Sequence, residues 1–344
     1  VGGIAEVEAP DSQNRDESEA ELLQLFKKAF SFHQQGEWDQ ARLIYEQILI
    51  RNPEHFDSLH LRGVIALQTN HPEMAVEWFE KALRVHDSHA PAYSNYGLAL
   101  HKLKRLDDAI ASFKKAMLID PNHADAFYNC GNSLFMLKRY VEAVASYDRA
   151  IDVVPGFAMA HGNRGLALHH LNRFEEALVS HQKAFAIKPS YAEACYNHGN
   201  SLYELKRFND AVVSYDKAIE IDPEYAEAYI NRGNALQKLK QHAKALASYD
   251  HGLDIQPDCP EAYINRGYTL HCLELFEEAL KSYDRAIQIR SDAAEAYVNR
   301  GFTLQLLMRT EEAIASYDQA ILLRPDYAMA HSNRGIALQE LKRF

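Results

Sequence analysis

The stretch AEAYINRGNALQKLKQHAKALASYDHGLDIQPDC, residues 226–259, decides the fold. Residues 226–239 are good helix formers, and so is the run from about Ala243 to Ile255. The small residues Gly233 and Ala245 let two such helices approach closely, and Tyr249 fills the space beyond them. Pro257 stops the second helix, and Asp258 is placed to cap the next.

Working outward, the same marks recur every 34 residues. Glycine stands at 63, 97, 131, 165, 199, 233, 267, 301 and 335, and alanine keeps step from Ala41 to Ala313. An aromatic residue or His follows each alanine by four, as in Phe79, Tyr147, His181 and Tyr283. Prolines close most units, with Asp87 and Ser291 standing where two more would be. A fixed period of this size means a stacked array, in which neighbours bury the apolar face that one helix pair cannot bury alone.

These residues resemble the tetratricopeptide repeat (TPR) family. With each glycine as position 8, units begin at 22, 56, 90, 124, 158, 192, 226, 260 and 294, and a half unit spans 328–344. The first unit departs, with Ala29 for the glycine and Ile48 for an alanine. The resemblance implies an all-α, right-handed superhelical solenoid whose concave groove is lined mainly by the first helices. The units also resemble the TPR superhelix of bacterial O-GlcNAc-transferase-like proteins, where an asparagine ladder grips substrate peptides.

Asparagine fills position 6 in eight successive units: Asn95, Asn129, Asn163, Asn197, Asn231, Asn265, Asn299 and Asn333. Each costs up to about 0.7 kcal/mol in a helix interior relative to Ala, so a retained row needs a reason. A side-chain amide offers a donor and an acceptor together, matching one peptide group of an extended chain. The eight are therefore the expected peptide-binding residues. Inherited structure, with the amides spent between helices, is the alternative. Acids at position 2 (Asp57, Asp125, Glu193, Glu227, Glu261 and Glu295) would repel a terminal carboxylate, and the partner is expected to be neutral or basic. Arg at position 7 (62, 164, 232, 266, 300 and 334) follows an acid by 16 residues every time, which predicts ion pairs between adjacent units.

Composition narrows the rest. The 344 residues are 47% hydrophobic and 25% charged, so collagen-like and wholly disordered classes are excluded. A net charge of −11 argues against broad binding to nucleic acid, including by an RNA-reading hairpin array, and no apolar run suits a membrane span. Four scattered cysteines suggest thiols in a reducing, cytoplasmic setting. His101, His169, His170 and His271 could face the groove but lack metal-ligand spacing. No catalytic residue, metal site or cofactor motif is legible, and oligomeric state is left open. Residues 1–21 read as an acidic flexible leader, with occupation of the groove as a sharper alternative, and both chain ends read as cut. The expected function is a non-catalytic peptide-binding scaffold. The alternatives are the substrate-recognition part of an O-GlcNAc-transferase-like enzyme, or a structural spacer.

Overall fold

The computed structural model describes residues 12–341, with side chains from Glu19 onward. The described residues form 19 α-helices and no strand. The chain divides into two compact units, one through Ala167 and one from Leu168. The first contains α1 (Ser12–Gln34), α2 (Trp38–Arg51), α3 (Phe56–Gln68), α4 (Pro72–Val85), α5 (Ala90–Lys102), α6 (Leu106–Ile119), α7 (Ala124–Met136) and α8 (Tyr140–Val153). Helix α9 (Ala158–His170) carries the division. The second contains α10 (Phe174–Ile187), α11 (Ala192–Glu204), α12 (Phe208–Ile221), α13 (Ala226–Lys238), α14 (His242–Ile255), α15 (Pro260–Cys272), α16 (Phe276–Ile289), α17 (Ala294–Leu306), α18 (Thr310–Leu323) and α19 (Ala328–Glu340).

Helices α1 to α8, and α10 to α19, each pack on their chain neighbours, and successive odd-numbered helices from α3 to α7 and from α11 to α19 also touch one another. One face of each unit is therefore a row of first helices. The core lies between rows, where the aromatic rings four residues after the repeated alanine are buried almost completely. Tyr249, for example, packs with Ile230, Leu236, Ala245, Leu253 and Ala262. A Cβ built on Gly233 would stand 2.7 Å from the Tyr249 ring, so this position has no room for a side chain.

Two details differ from the sequence reading. Residues 1–11 of the expected leader lie outside the described residues, but from Ser12 the chain is already helical. The reason is that SQNRDESEAE is rich in helix formers, and extending a nucleated helix gains one hydrogen bond per residue fixed. Arg51 Nη1 also reaches Glu21 Oε2 at 3.2 Å, tying α1 to the end of α2. Asp258 does not cap α15, because that helix starts at Pro260 and Cys259 takes the cap position without a side-chain bond.

A further feature is the turn that ends each first helix from α1 to α17. It uses a left-handed residue, yet the residue is Lys104, Lys138, Lys206, Lys240, Asn70, Asn172, Glu274 or Met308, with φ between 58° and 61°. Among the described residues only the first of these turns has glycine, Gly36. The turn lets Arg105 N donate to Leu100 O at 3.0 Å and Lys104 N to His101 O at 3.0 Å, closing the helix end.

Candidate functional site

All eight position-6 asparagines lie on first helices and are half-buried or buried. For three of them the partner is position 9 of the preceding repeat. Where that residue is Asn, the two join. Asn163 Nδ2 donates to Asn132 Oδ1 at 2.8 Å, Asn231 Nδ2 to Asn200 Oδ1 at 3.0 Å, and Asn265 Nδ2 to Asn234 Oδ1 at 2.9 Å. The same oxygens accept the buried tyrosine hydroxyls, Tyr147 at 2.9 Å and Tyr215 and Tyr249 at 2.8 Å. Burial raises the pKa values of Tyr215 and Tyr249, so these hydroxyls remain donors.

The bonds leave the asparagines in unequal states. Asn163 and Asn231 each spend the second amide hydrogen as well, on Tyr128 Oη at 3.1 Å and Tyr196 Oη at 2.9 Å. Asn234 Nδ2 reaches Asn231 Oδ1 at 3.3 Å, so Asn231 has little capacity left. Asn95 Nδ2 meets His60 Nε2 at 3.1 Å, and Asn333 lies in hydrogen-bonding reach of the Tyr317 hydroxyl. Among the described residues Asn129, Asn197 and Asn299 make no side-chain hydrogen bond. Leu98 and Tyr268 stand at position 9 before Asn129 and Asn299.

The position-12 histidines are tied to the neighbouring helix. His101 Nδ1 lies 2.8 Å from Ser133 Oγ, His169 Nδ1 3.1 Å from Ser201 Oγ, and His271 Nδ1 3.0 Å from Thr303 Oγ1. Each hydroxyl donates to the carbonyl of the asparagine four residues before it, which leaves it to accept the ring proton and places that proton on Nδ1. Burial lowers all three histidine pKa values, favouring the neutral ring. Sequence reasoning missed these partners, although the hydroxyl at position 10 recurs at the repeat step in Ser133, Ser201, Thr269 and Thr303. Among the described residues no three His, Cys, Asp or Glu side chains are grouped to hold a metal.

Three clefts open on the first-helix face of the second unit. One of about 210 Å³ is lined by Asn200, Asn231, Asn234 and Tyr203. A second of about 350 Å³ has Tyr268, Phe302, Met329, Asn299 and Asn333 in its walls. The third, about 750 Å³, shares Tyr268, His271 and Phe302 with the second and extends to Lys238 and Leu306.

The position-7 arginines hold the helices that carry this face. Each of the six meets its expected acid: Arg62 pairs with Glu46 and Arg164 with Asp148, while Arg232–Asp216 is 3.0 Å, Arg266–Asp250 2.6 Å and Arg300–Asp284 2.7 Å. Arg334 and Asp318 complete the set at 2.5 Å. Where the rule breaks, Tyr96 Oη donates to Glu80 at 2.9 Å instead. A further bond runs forward, from Arg266 Nη1 to Ser282 Oγ at 2.6 Å and from Arg300 Nη1 to Ser316 Oγ at 2.7 Å. One guanidinium thus clamps three helices, α14, α15 and α16 in the case of Arg266.

Family models for the tetratricopeptide repeat match most of the chain. One described as TPR repeat covers 97–138, 199–240, 275–307 and 309–342. Two described as tetratricopeptide repeat cover 226–259, and 26–87, 66–117 and 137–192. No curated protein matches. Among solved structures, YrrB, a TPR protein with an unusual peptide-binding site, is 25% identical at a TM-score of 0.50, over 56% of this chain and 99% of its own. The C-terminal part of a TPR repeat-containing protein from Cytophaga hutchinsonii is 17% identical at 0.58, over 69% and 98%. Pseudomonas aeruginosa PilF is 20% identical at 0.55, over 62% and 97%. The last two likenesses are of fold alone.

Proposed function

Because the chain belongs to the tetratricopeptide repeat family, we propose that it is a non-catalytic scaffold holding an extended segment of a partner protein along its first helices. The observation that carries this reading is the state of the asparagine row. In a row where other amides are committed to neighbouring helices, Asn129, Asn197 and Asn299 have side-chain donors and acceptors that no neighbouring side chain takes among the described residues. An open amide matches a peptide group whatever its side chain, so it can hold a backbone with little regard to sequence. Asn95, Asn163, Asn231, Asn265 and Asn333 contribute only what their inter-helix bonds leave. The likeness to YrrB, whose peptide-binding site is reported as unusual, supports the same use of the fold.

The position-2 acids stand at the start of six first helices, α3, α7, α11, α13, α15 and α17, and they favour neutral or basic segments there. The four cysteines are all unpaired, which suits a reducing, cytoplasmic setting.

The test compares two triple variants against peptides selected from a displayed library of random 12-residue sequences. Asn129→Ala with Asn197→Ala and Asn299→Ala should remove about 1 kcal/mol per backbone bond, weakening a peptide roughly 5-fold for each of the three it contacts, without loss of stability. Asn163→Ala with Asn231→Ala and Asn265→Ala should mainly lower stability. Normal binding by the first triple variant would overturn the proposal.

A further inference from the structure

Position 9 changes character along the second unit. It is Asn200 and Asn234 in α11 and α13, then Tyr268, Phe302 and Ile336 in α15, α17 and α19. These three large apolar side chains are 48%, 45% and 49% exposed. Contiguous apolar exposure of this kind on a folded surface marks an interaction site more often than chance.

The helical period puts further chemistry on the same faces. Residues i, i+4 and i+7 share one side of a helix. On α17 that side carries Glu295, Asn299 and Phe302, and on α19 it carries Met329, Asn333 and Ile336. Phe302, Tyr268 and Met329 wall the cleft of about 350 Å³ together with Asn299 and Asn333. An apolar cavity of this size with a few polar groups suits one inserted side chain while the amides hold the backbone beside it.

Charge decides what flanks that side chain. Glu261 is already paired with Arg290, but Glu295 makes no ion pair among the described residues. Lys238 and Lys240 border the adjoining cleft at the opposite end of a first helix, so they do not neutralise Glu295. From Glu295 to Phe302 is seven residues of helix, about 10 Å at a rise of ~1.5 Å. An extended peptide covers that span in about three residues at ~3.3 Å each.

We infer that the Tyr268–Phe302 cleft is an anchor subsite for an extended peptide bearing an aromatic or long aliphatic side chain, with Lys or Arg two or three residues away. The inference rests on the peptide-binding reading above and adds a sequence preference to it.

The experiment selects a displayed library of random 12-residue peptides on the full chain and on the variants Phe302→Ser, Tyr268→Ser and Glu295→Gln. The three side chains are at the surface, and circular dichroism checks that helicity is kept. The expected result is enrichment of an apolar residue with a basic one two or three positions off. The selected peptides should bind Phe302→Ser and Tyr268→Ser at least about tenfold more weakly, as expected for losing about 1.4 kcal/mol of apolar contact. Glu295→Gln should lose the basic preference and keep the apolar one. Enriched peptides without the pairing, or binding to both serine variants as tight as to the unaltered chain, would overturn the subsite. If such peptides still depend on Asn129, Asn197 and Asn299, backbone holding stands and only the anchor falls. If nothing is enriched, both fall.

Discussion

Replacing His181 with Phe should stabilise the second unit, and more so at low pH. His181 stands at the ring position occupied in other repeats by Tyr or Phe, and it is 0% exposed. Neither ring nitrogen has a hydrogen-bond partner. A neutral imidazole has one N–H to donate and one lone pair to fill, so two polar groups are buried without compensation, at about 1–3 kcal/mol each. Phe79 and Phe113 occupy the same step with no exposure, which shows that the repeat accommodates the larger ring. Allowing for some overpacking, the gain at pH 8 should be about 2 kcal/mol.

Burial first, then the neighbouring His198 and His169, depress the His181 pKa from 6.5 to about 3. The folded protein therefore keeps this ring neutral while the unfolded chain takes up a proton below pH 6.5. Stability lost through His181 grows as pH falls from 6.5 toward about 3, and it is absent above 6.5. Between pH 8 and pH 5 the loss is about 2 kcal/mol by the linkage relation. Urea unfolding of wild type and His181→Phe, followed by circular dichroism at both pH values, reads the effect as a difference. His60 and His198, both held near 4 by burial, titrate in the same window but are common to the two proteins and cancel. The stability difference should widen by about 2 kcal/mol on acidification. A difference independent of pH would refute the reasoning, as would a Phe variant less stable at both.

Three further outcomes follow from the packing. Asp250→Ala and Arg266→Ala should each destabilise slightly, and the double variant should cost about 0.3–1 kcal/mol less than their sum in urea unfolding, because the pair is partly solvated. Gly233→Ala drives a methyl into the buried Tyr249 ring and should lower stability by about 1–3 kcal/mol, read as an earlier urea midpoint at unchanged slope. Lys138→Gly relieves a left-handed residue at φ 59° and should raise the thermal midpoint, the equivalent of about 1 kcal/mol, where Lys138→Ala should leave it nearly unchanged.

Periodicity in the sequence was enough for the architecture. The recurrence of Gly, Ala and an aromatic at one step says which helix faces meet, since only a small residue opposite a large ring allows close approach, and Gly233 against Tyr249 is that contact. The ion pairs were legible for a related reason. Arg266 and its counterparts appear only where an acid stands 16 residues earlier, so the partner is written into the pattern. Other features needed the tertiary structure. The helical start at Ser12 depends on extending a helix already nucleated downstream, and the left-handed lysines carry no local signal because their strain is offset by the turn they close. An asparagine 31 residues earlier commits an amide of the row: Asn200 takes one hydrogen of Asn231, whereas Tyr268 takes none from Asn299. Helical period places each amide on the same face of its own helix. Hydrogen-bond capacity is exhausted or spared only when two repeats come into register, which is why the row looked uniform in sequence and is not uniform in space.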